Sequence, residues 1–405
     1  MAAQGATTGQ HTDDELERAW GLIRDQADKI ADTITLALFE RDFEIYERIG
    51  PELRADVRAA NRQHVCRALE VLSGDTGKRH SAAELWRDAG RRRARQGVPL
   101  ELVLNAYTMG SRVLWEALVA QARVVRKPAI SDGVLRRAAE RVWADLDVVT
   151  AVVIDSYRRE SARMQRQDLQ RQQSVLDALI EGRGADEEFA EEARQVLALE
   201  TGEAVGCVVA LLDGPNLPLL LQAEDRLDKA GVHARWHVRS GVYYGLLAGP
   251  LPDEPGLAAL FADDPPARMA VALSPDGLAG FATAYQLASR AAETLARDER
   301  RVVSVTERLP EVLIAGSPLV AQLLVTTVLG PLLAMPEAQG RTLVDTLVAL
   351  LRHDGSPTHA AEELYCHRNT VIYRLRQIEE LTGRVLADPR DKMLLGLAVM
   401  ARGPG

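Results

Sequence analysis

Aromatic residues make up only 4% of this 405-residue chain, with five Trp and five Phe. Its cores must therefore be built from Leu, Val and Ala, since hydrophobic residues still reach 47%. Cysteine is equally scarce. Cys66, Cys207 and Cys366 lie far apart with no CxxC pair, which argues against a disulfide framework or a thiolate metal site. They read as reduced thiols in or near the cores. No uncharged apolar run reaches the roughly 18 residues of a membrane span. The nearest, Ala315–Met335, is interrupted by Pro318, Pro331 and several polar groups. The N-terminus lacks a positive start followed by an apolar run, so no secretory signal is expected and the expected location is the cytoplasm. Lysine is also rare, with five in the chain, so arginine carries the positive charge. A net charge of −9 excludes a protein that coats nucleic acid indiscriminately, but not a small reading module on a larger acidic body.

The length is enough for two or three domains with their own cores. Residues 1–12 are small and polar and are expected to lack order. From Asp13 the apolar spacing is helical: Trp20, Ile23, Ala27 and Ile30 recur at three and four. Further helices are expected near 32–49, 51–73, 81–95, 99–124 and 131–160, giving an all-α domain over 13–158. Arg91–Arg93 and Arg95 are either an anion site or a solvated helix end. His64 and His80 each stand alone, so no haem is expected. Residues 159–182 are polar, with a broken heptad of Met164, Leu169, Val175, Leu176 and Leu179. They read as a connector helix, either exposed or docked on its own domain.

Residues 183–310 change character. Ala204–Leu212 is a continuous apolar run suited to a buried strand, followed by a helix at 222–230. Ala234–Val238 and Val242–Ala248 flank Arg239–Ser240–Gly241, a hairpin turn. Arg268–Leu273 is another strand, then a helix runs from about Gly280 to Arg297, and Val302–Ser304 is a last short strand. The order predicts an α/β sandwich. His233 and His237 fall on a strand, where positions four apart are too distant for one metal ion, so no metal is expected there. Residues 311–340 are a helical linker more apolar than a linker needs, interrupted at Gly330–Pro331.

The last stretch, 341–405, is nearly neutral, with nine Arg or Lys against eight Asp or Glu. Arg341–Asp354 reads as a supporting helix with Leu343, Leu347, Leu350 and Leu351 buried. Ser356 and Pro357 suit the cap and first position of a second helix, in which Ala360 and Leu364 share a face. After the short connection Tyr365–Cys366–His367, a third helix runs from Arg368 to Thr382, with Gly383 as its left-handed cap. Val371, Leu375 and Ile378 form its buried stripe. Arg368, Asn369, Thr370, Tyr373 and Arg374 point elsewhere, and no acid occurs between Arg368 and Gln377. A helix N-terminus and arginines favour phosphate, while Arg and Asn pair with guanine and adenine edges. A solvated basic face is the plainer alternative. Residues Arg390 to about Met400 form a last helix, with Leu394, Leu395 and Leu397 backing the others.

The run HRNTV-YRL-IEELTG within Leu343–Val399 closely resembles the C-terminal DNA-binding domain of PucR/CdaR-type bacterial transcription regulators. That resemblance implies a helix-turn-helix without a wing, with Arg368, Asn369, Thr370, Tyr373 and Arg374 on its reading helix. Residues 15–158, through Gly90–Leu118, resemble the N-terminal sensor-like domain of RsbR-type stress regulators, a globin-like fold that lacks haem. The middle segment is similar in order and spacing to the GGDEF-like domain of the same regulators. Diguanylate cyclases hold metal ions with carboxylates after the first strand and at the hairpin. Here only Asp213 follows the first strand, and VRSGVYYGLLAG carries none, so the domain is degenerate and no enzyme is expected.

The expected whole is a multidomain α and α/β chain: an all-α globin-like N-terminal domain, a degenerate GGDEF-like α/β sandwich and a C-terminal helix-turn-helix. The expected function is a sequence-specific transcription regulator, an activator by family analogy. Its expected partners are double-stranded DNA, a second copy in a homodimer or larger homo-oligomer, RNA polymerase and an unknown effector, with no membrane and no cofactor. The alternative is a stress-signalling scaffold that acts through protein contacts without DNA.

Overall fold

The computed structural model describes residues 14–74, 79–124, 130–212 and 218–403. The expectation of a disordered start and the lone Asp213 fall outside them, as does the His80 side chain. The protein is mostly helical with one small mixed sheet. It divides into two compact units, Met1–Leu169 and Gln170–Gly405.

The first unit contains α1 (14–21), α2 (Ala27–Arg41), α3 (Phe43–Ile49), α4 (Pro51–Leu72), α5 (Arg79–Arg95), α6 (Leu100–Val124) and most of α7 (Asp132–Ile180). Trp20, Ile23 and Ile30 are buried together with Ile34, Leu38, Leu69 and Leu118, although a turn at 22–23 and a short 3-10 turn, Arg24–Gln26, part α1 from α2. The helix expected over 32–49 is two helices, parted at Asp42. Helices α5 and α7 approach closely at Gly90, where a Cβ would lie 2.1 Å from Ser156 Oγ and 2.8 Å from the Val153 carbonyl oxygen. The arginine run is not a free anion site. Arg92 and Arg93 both pair with Asp56, Arg91 with Asp88, and Arg95 with Glu160 at 2.7 Å.

Helix α7 joins the helix expected near 131–160 to the connector helix expected over 159–182. It is one helix of 49 residues, about 74 Å at 1.5 Å per residue. The chain between 161 and 174 contains neither Gly nor Pro, so nothing interrupts the backbone ladder. Most side chains from 165 to 174 are exposed, whereas Val175, Leu176, Ala178 and Leu179 are buried in the core of the second unit.

The second unit continues with α8 (Glu187–Leu197), β1 (Ala204–Leu211), α9 (Pro218–Lys229), β2 (His233–Arg239), β3 (Val242–Gly249), α10 (Glu254–Ala259), β4 (Arg268–Ser274), α11 (Phe281–Glu293) and β5 (Val302–Ser304). The five strands are ordered β2-β3-β1-β4-β5, antiparallel except for the parallel β4–β5 pair. This is a split β-α-β arrangement, in which β3 inserts between the first two strands. The sheet separates two apolar layers. One contains Cys207, Tyr244 and Ala270 with the end of α7, α8 and α11. The other contains Val208, Leu247 and Met269 with Leu227 of α9 and Leu257 of α10. The expected hairpin turn is present, with both Ser240 and Gly241 at positive φ, the twist that a two-residue hairpin requires. At the sheet edge, Asp177 of α7 meets His237 at 3.4 Å, Arg239 at 3.7 Å and the Tyr244 hydroxyl at 3.5 Å. Glu181 takes a 2.8 Å hydrogen bond from Arg239.

The remaining helices are α12 (Leu309–Ala315), α13 (Pro318–Leu324), α14 (Gly330–Leu333), α15 (Glu337–Arg352), α16 (Pro357–Glu363), α17 (Arg368–Thr382) and α18 (Pro389–Arg402). Gly330–Pro331 does not interrupt the helix as expected. A π-turn at Val325–Leu329 joins α13 to α14 and loosens the ladder just where Pro331 lacks an N–H. The apolar excess of this stretch packs against the next module: Val328, Leu329 and Leu332 belong to the same core as Leu343, Leu347, Ile378 and Leu395. No single helix among the described residues is long and apolar enough to cross a membrane. The pair 306–315 and 318–333 reaches that composition only together, and it is bent by 85°.

Candidate nucleic-acid interface

Helix α15 supplies the platform, with Leu343, Val344, Leu347 and Leu350 buried. Helix α16 packs through Ala360 and Ala361, whose small side chains permit a close crossing. Glu363 ties it down by accepting from Arg352 at 2.8 Å and by pairing with His353 at 2.8 Å. Ser356 sits at the cap with Pro357 at the first position, but the serine hydroxyl makes no capping bond.

The turn between α16 and α17 is the sharpest feature. Tyr365 adopts φ of 50°, and its N–H donates to the Glu362 oxygen while the Cys366 N–H donates to the Ala361 oxygen at 3.0 Å. This double bond pattern closes the helix with a left-handed residue, a place where glycine is usual and a bulky side chain costs about 1–2 kcal/mol. The Tyr365 side chain is 97% exposed. The strain is thus spent on presenting a phenol to solvent, beside the start of α17.

His367 caps α17 by accepting from the Asn369 N–H at 3.2 Å through Nδ1. Gly383 closes the helix in the left-handed region, as expected. Val371 and Ile378 are fully buried and Leu375 is half-buried, so the stripe seats the helix. Of the five residues singled out by pattern, Arg368, Asn369 and Tyr373 are exposed, while Thr370 and Arg374 are half-buried. Arg374 also donates to Thr346 Oγ1 of α15 at 3.4 Å, so it serves the module's own packing as well. Exposed Arg376 lies on the same side and was missed, as were His367 and Tyr365. The signal for Arg376 was its spacing of three and seven from Tyr373 and Asn369. Nothing local marked Tyr365.

The electrostatics follow from which charges are already paired. Asp391 accepts from Arg384 at 3.1 Å, Asp388 caps α18, and Glu379 accepts from the Leu386 N–H. Lys392 holds the Asp354 carboxyl below its usual range. Among the described residues, Arg368 and Arg376 have no carboxylate partner. A nearly neutral module therefore presents a local cationic face at the N-terminal half of α17, where the helix dipole adds positive potential.

Residues 343–401 match the family model of the PucR C-terminal helix-turn-helix domain. The C-terminal module is of the PucR/CdaR type. Residues 28–172 match the N-terminal domain of the RsbT co-antagonist protein rsbRD. The chain is similar over part of its length to several curated proteins. The purine catabolism regulatory protein of Bacillus subtilis is 43% identical over 67 residues, covering 16% of this chain and 13% of that protein. The carbohydrate diacid regulator of Escherichia coli is 40% identical over 73 residues, covering 16% and 19%. A protein of Mycobacterium tuberculosis is 38% identical over 102 residues, so the chain spans about a quarter of that relative's length, 24%. The solved regulator of polyketide synthase expression from Bifidobacterium adolescentis aligns with 57% of this chain and 97% of its own, at 22% identity and a TM-score of 0.29. The PucR-type likeness is thus shown for the C-terminal module, residues 343–401.

Proposed function

We propose that the chain is a sequence-specific DNA-binding transcription regulator that acts as an activator and reads the major groove with α17. The observation that carries this reading is the exposed, acid-free edge of Arg368, Asn369, Tyr373 and Arg376 on a helix seated by Val371 and Ile378. Arg368 and Asn369 read base edges, while Thr370 and Arg374 set the helix against phosphate and the platform. Tyr365 joins them from the turn. One such module reads few base pairs, so a homodimer on two half-sites about 10 base pairs or a multiple apart is the working form. The exposed Leu313, Leu319 and Leu323 support such self-association.

The N-terminal unit is a globin-like sensor, and its effector shifts the activity of the module, with RNA polymerase as the downstream contact. The middle body is GGDEF-like, a reading supported by its split β-α-β strand order. It is without catalysis, since its hairpin carries no carboxylate to hold a metal ion. We divide the chain at about 158, 182, 310 and 340, with the 324–333 segment lending its apolar side chains to the PucR-type core.

A mobility-shift titration on the promoter region of its own gene tests the reading. Arg368→Ala, Asn369→Ala and Arg374→Ala are each expected to weaken binding by about 5- to 150-fold, or about 1–3 kcal/mol per contact. Parent-like affinity in all three variants rejects α17 as the reading helix. The match of 28–172 to a co-antagonist domain favours one second reading, a stress-signalling scaffold. That reading requires stable co-purification of protein partners together with no promoter binding by the parent chain.

A further inference from the structure

Inside the N-terminal unit, helices α2 to α7 line a half-open cavity of about 120 Å³. Its walls are mainly apolar, with Val57, Trp86, Leu114 and Val149 among them. The volume is close to that of an apolar protein cavity of about 150 Å³ that takes up benzene, and is far too small for a macrocycle.

Seven polar side chains also reach the walls: Tyr46, Asn61, His64, Arg93, Tyr107, Ser111 and Asp145. Asp145 is held by Arg141 at 3.4 Å, and two more are already engaged. Asn61 donates to Thr35 Oγ1 at 3.0 Å, and Arg93 donates to Asp56 at 2.7 Å and Gln96 at 2.6 Å. His64 and Tyr107 form a pair of their own, with the hydroxyl 3.3 Å from Nδ1 and the rings stacked at 5.7 Å and 18°. The second imidazole nitrogen, Nε2, has no partner among the described residues. Burial, reinforced by Arg93 and Arg92, lowers the His64 pKa to about 4, so the ring is neutral at pH 7. Burial also keeps the Tyr107 proton in place by pushing its pKa up.

These groups define the ligand chemistry. A neutral imidazole offers one hydrogen-bonding position at Nε2, a donor in one tautomer and an acceptor in the other. A hydroxyl satisfies either. A net charge is disfavoured, because Arg93 is already offset by Asp56, Asp145 by Arg141, and a buried ion without a partner is costly. We propose that this cavity binds a small uncharged molecule of one ring carrying one hydroxyl, with the ring among the apolar walls and the hydroxyl on His64 Nε2. Val142 and Val149 of α7 line the same space, so the ligand touches the helix that continues to Ile180. The site is independent of the DNA reading.

The test is a ligand-observed saturation-transfer titration of the full chain with phenol, toluene and benzoate. Phenol is expected to saturate, toluene to bind at least fivefold more weakly, and benzoate not to bind. His64→Leu is expected to bring phenol down to the toluene level and leave toluene unchanged. Ala106→Leu places its side chain in the cavity and is expected to abolish phenol binding. Should that variant fail to fold, Gly110→Ala serves: its Cβ would sit 3.8 Å from Ile34 Cδ1, an ordinary contact, and phenol is expected to weaken at least threefold. Absence of saturable phenol binding, equal affinity for phenol and toluene, or undiminished binding in the folded cavity variants overturns the proposal.

Discussion

Replacing Ile378 by Ala separates the two faces of α17. Ile378 is fully buried in the core built from Val328, Leu343, Leu347, Leu386 and Leu395. Truncation removes three carbon atoms and leaves a void between α15 and α17, elements fixed by several other contacts. Such deletions cost about 2–5 kcal/mol, the higher end applying where neighbours cannot collapse. In a domain of 60–100 residues each kcal/mol is worth roughly 4–8 °C of Tm. The C-terminal transition in calorimetry is therefore expected to fall by at least about 8 °C. At a temperature where the variant is still folded, its affinity for the promoter should stay within about threefold of the parent, because no base-facing side chain has changed. Tyr373→Ala, on the opposite face, should reverse the pattern, with stability within about 0.5 kcal/mol and reduced affinity. If Ile378→Ala leaves the transition in place, α17 is not seated as described. If it abolishes binding while folded, the division into a packing face and a reading face fails.

Gly90→Ala should destabilise the N-terminal unit by about 1–3 kcal/mol, read by urea unfolding, because the new methyl collides with Ser156 Oγ and the Val153 carbonyl; Ser156→Ala in the same chain should recover only part of it. The His64 pKa is depressed in the folded state, so the unfolded chain takes up the proton first; stability is full above about 6.5 and falls as pH drops toward about 4. Chemical unfolding across that range should show the loss, up to about 3 kcal/mol, and His64→Leu should remove this step. Asp177→Ala should free His237 and the Tyr244 hydroxyl and leave Arg239 to Glu181 alone; faster amide exchange over residues 175–180, with the strands of the sheet still protected, is the expected result.

What the sequence determined by itself is what short-range spacing encodes. Val371 and Ile378 had to face inward and Arg368 and Asn369 outward, because a 3.6-residue period leaves no other arrangement once the helix forms. A hairpin had to turn near Arg239–Ser240–Gly241, and Gly383 had to end α17, because few residues tolerate positive φ. The tertiary structure alone decided the matters that depend on distant partners. The Val325–Leu329 π-turn and the apolar side chains around it look like linker until α15 and α18 give them a core to enter. The far end of α7 reads as exposed connector until the sheet buries Val175, Leu176, Ala178 and Leu179. His64 reads as a solitary histidine, yet Tyr107, 43 residues away, holds one of its nitrogens at the wall of a cavity. Tyr365 carries no local mark at all; only the closing bonds of α16 force it into the left-handed region and out into solvent. Periodicity is a property of neighbours along the chain, whereas cavities, anchors and strained turns come from residues that meet only after the chain has folded.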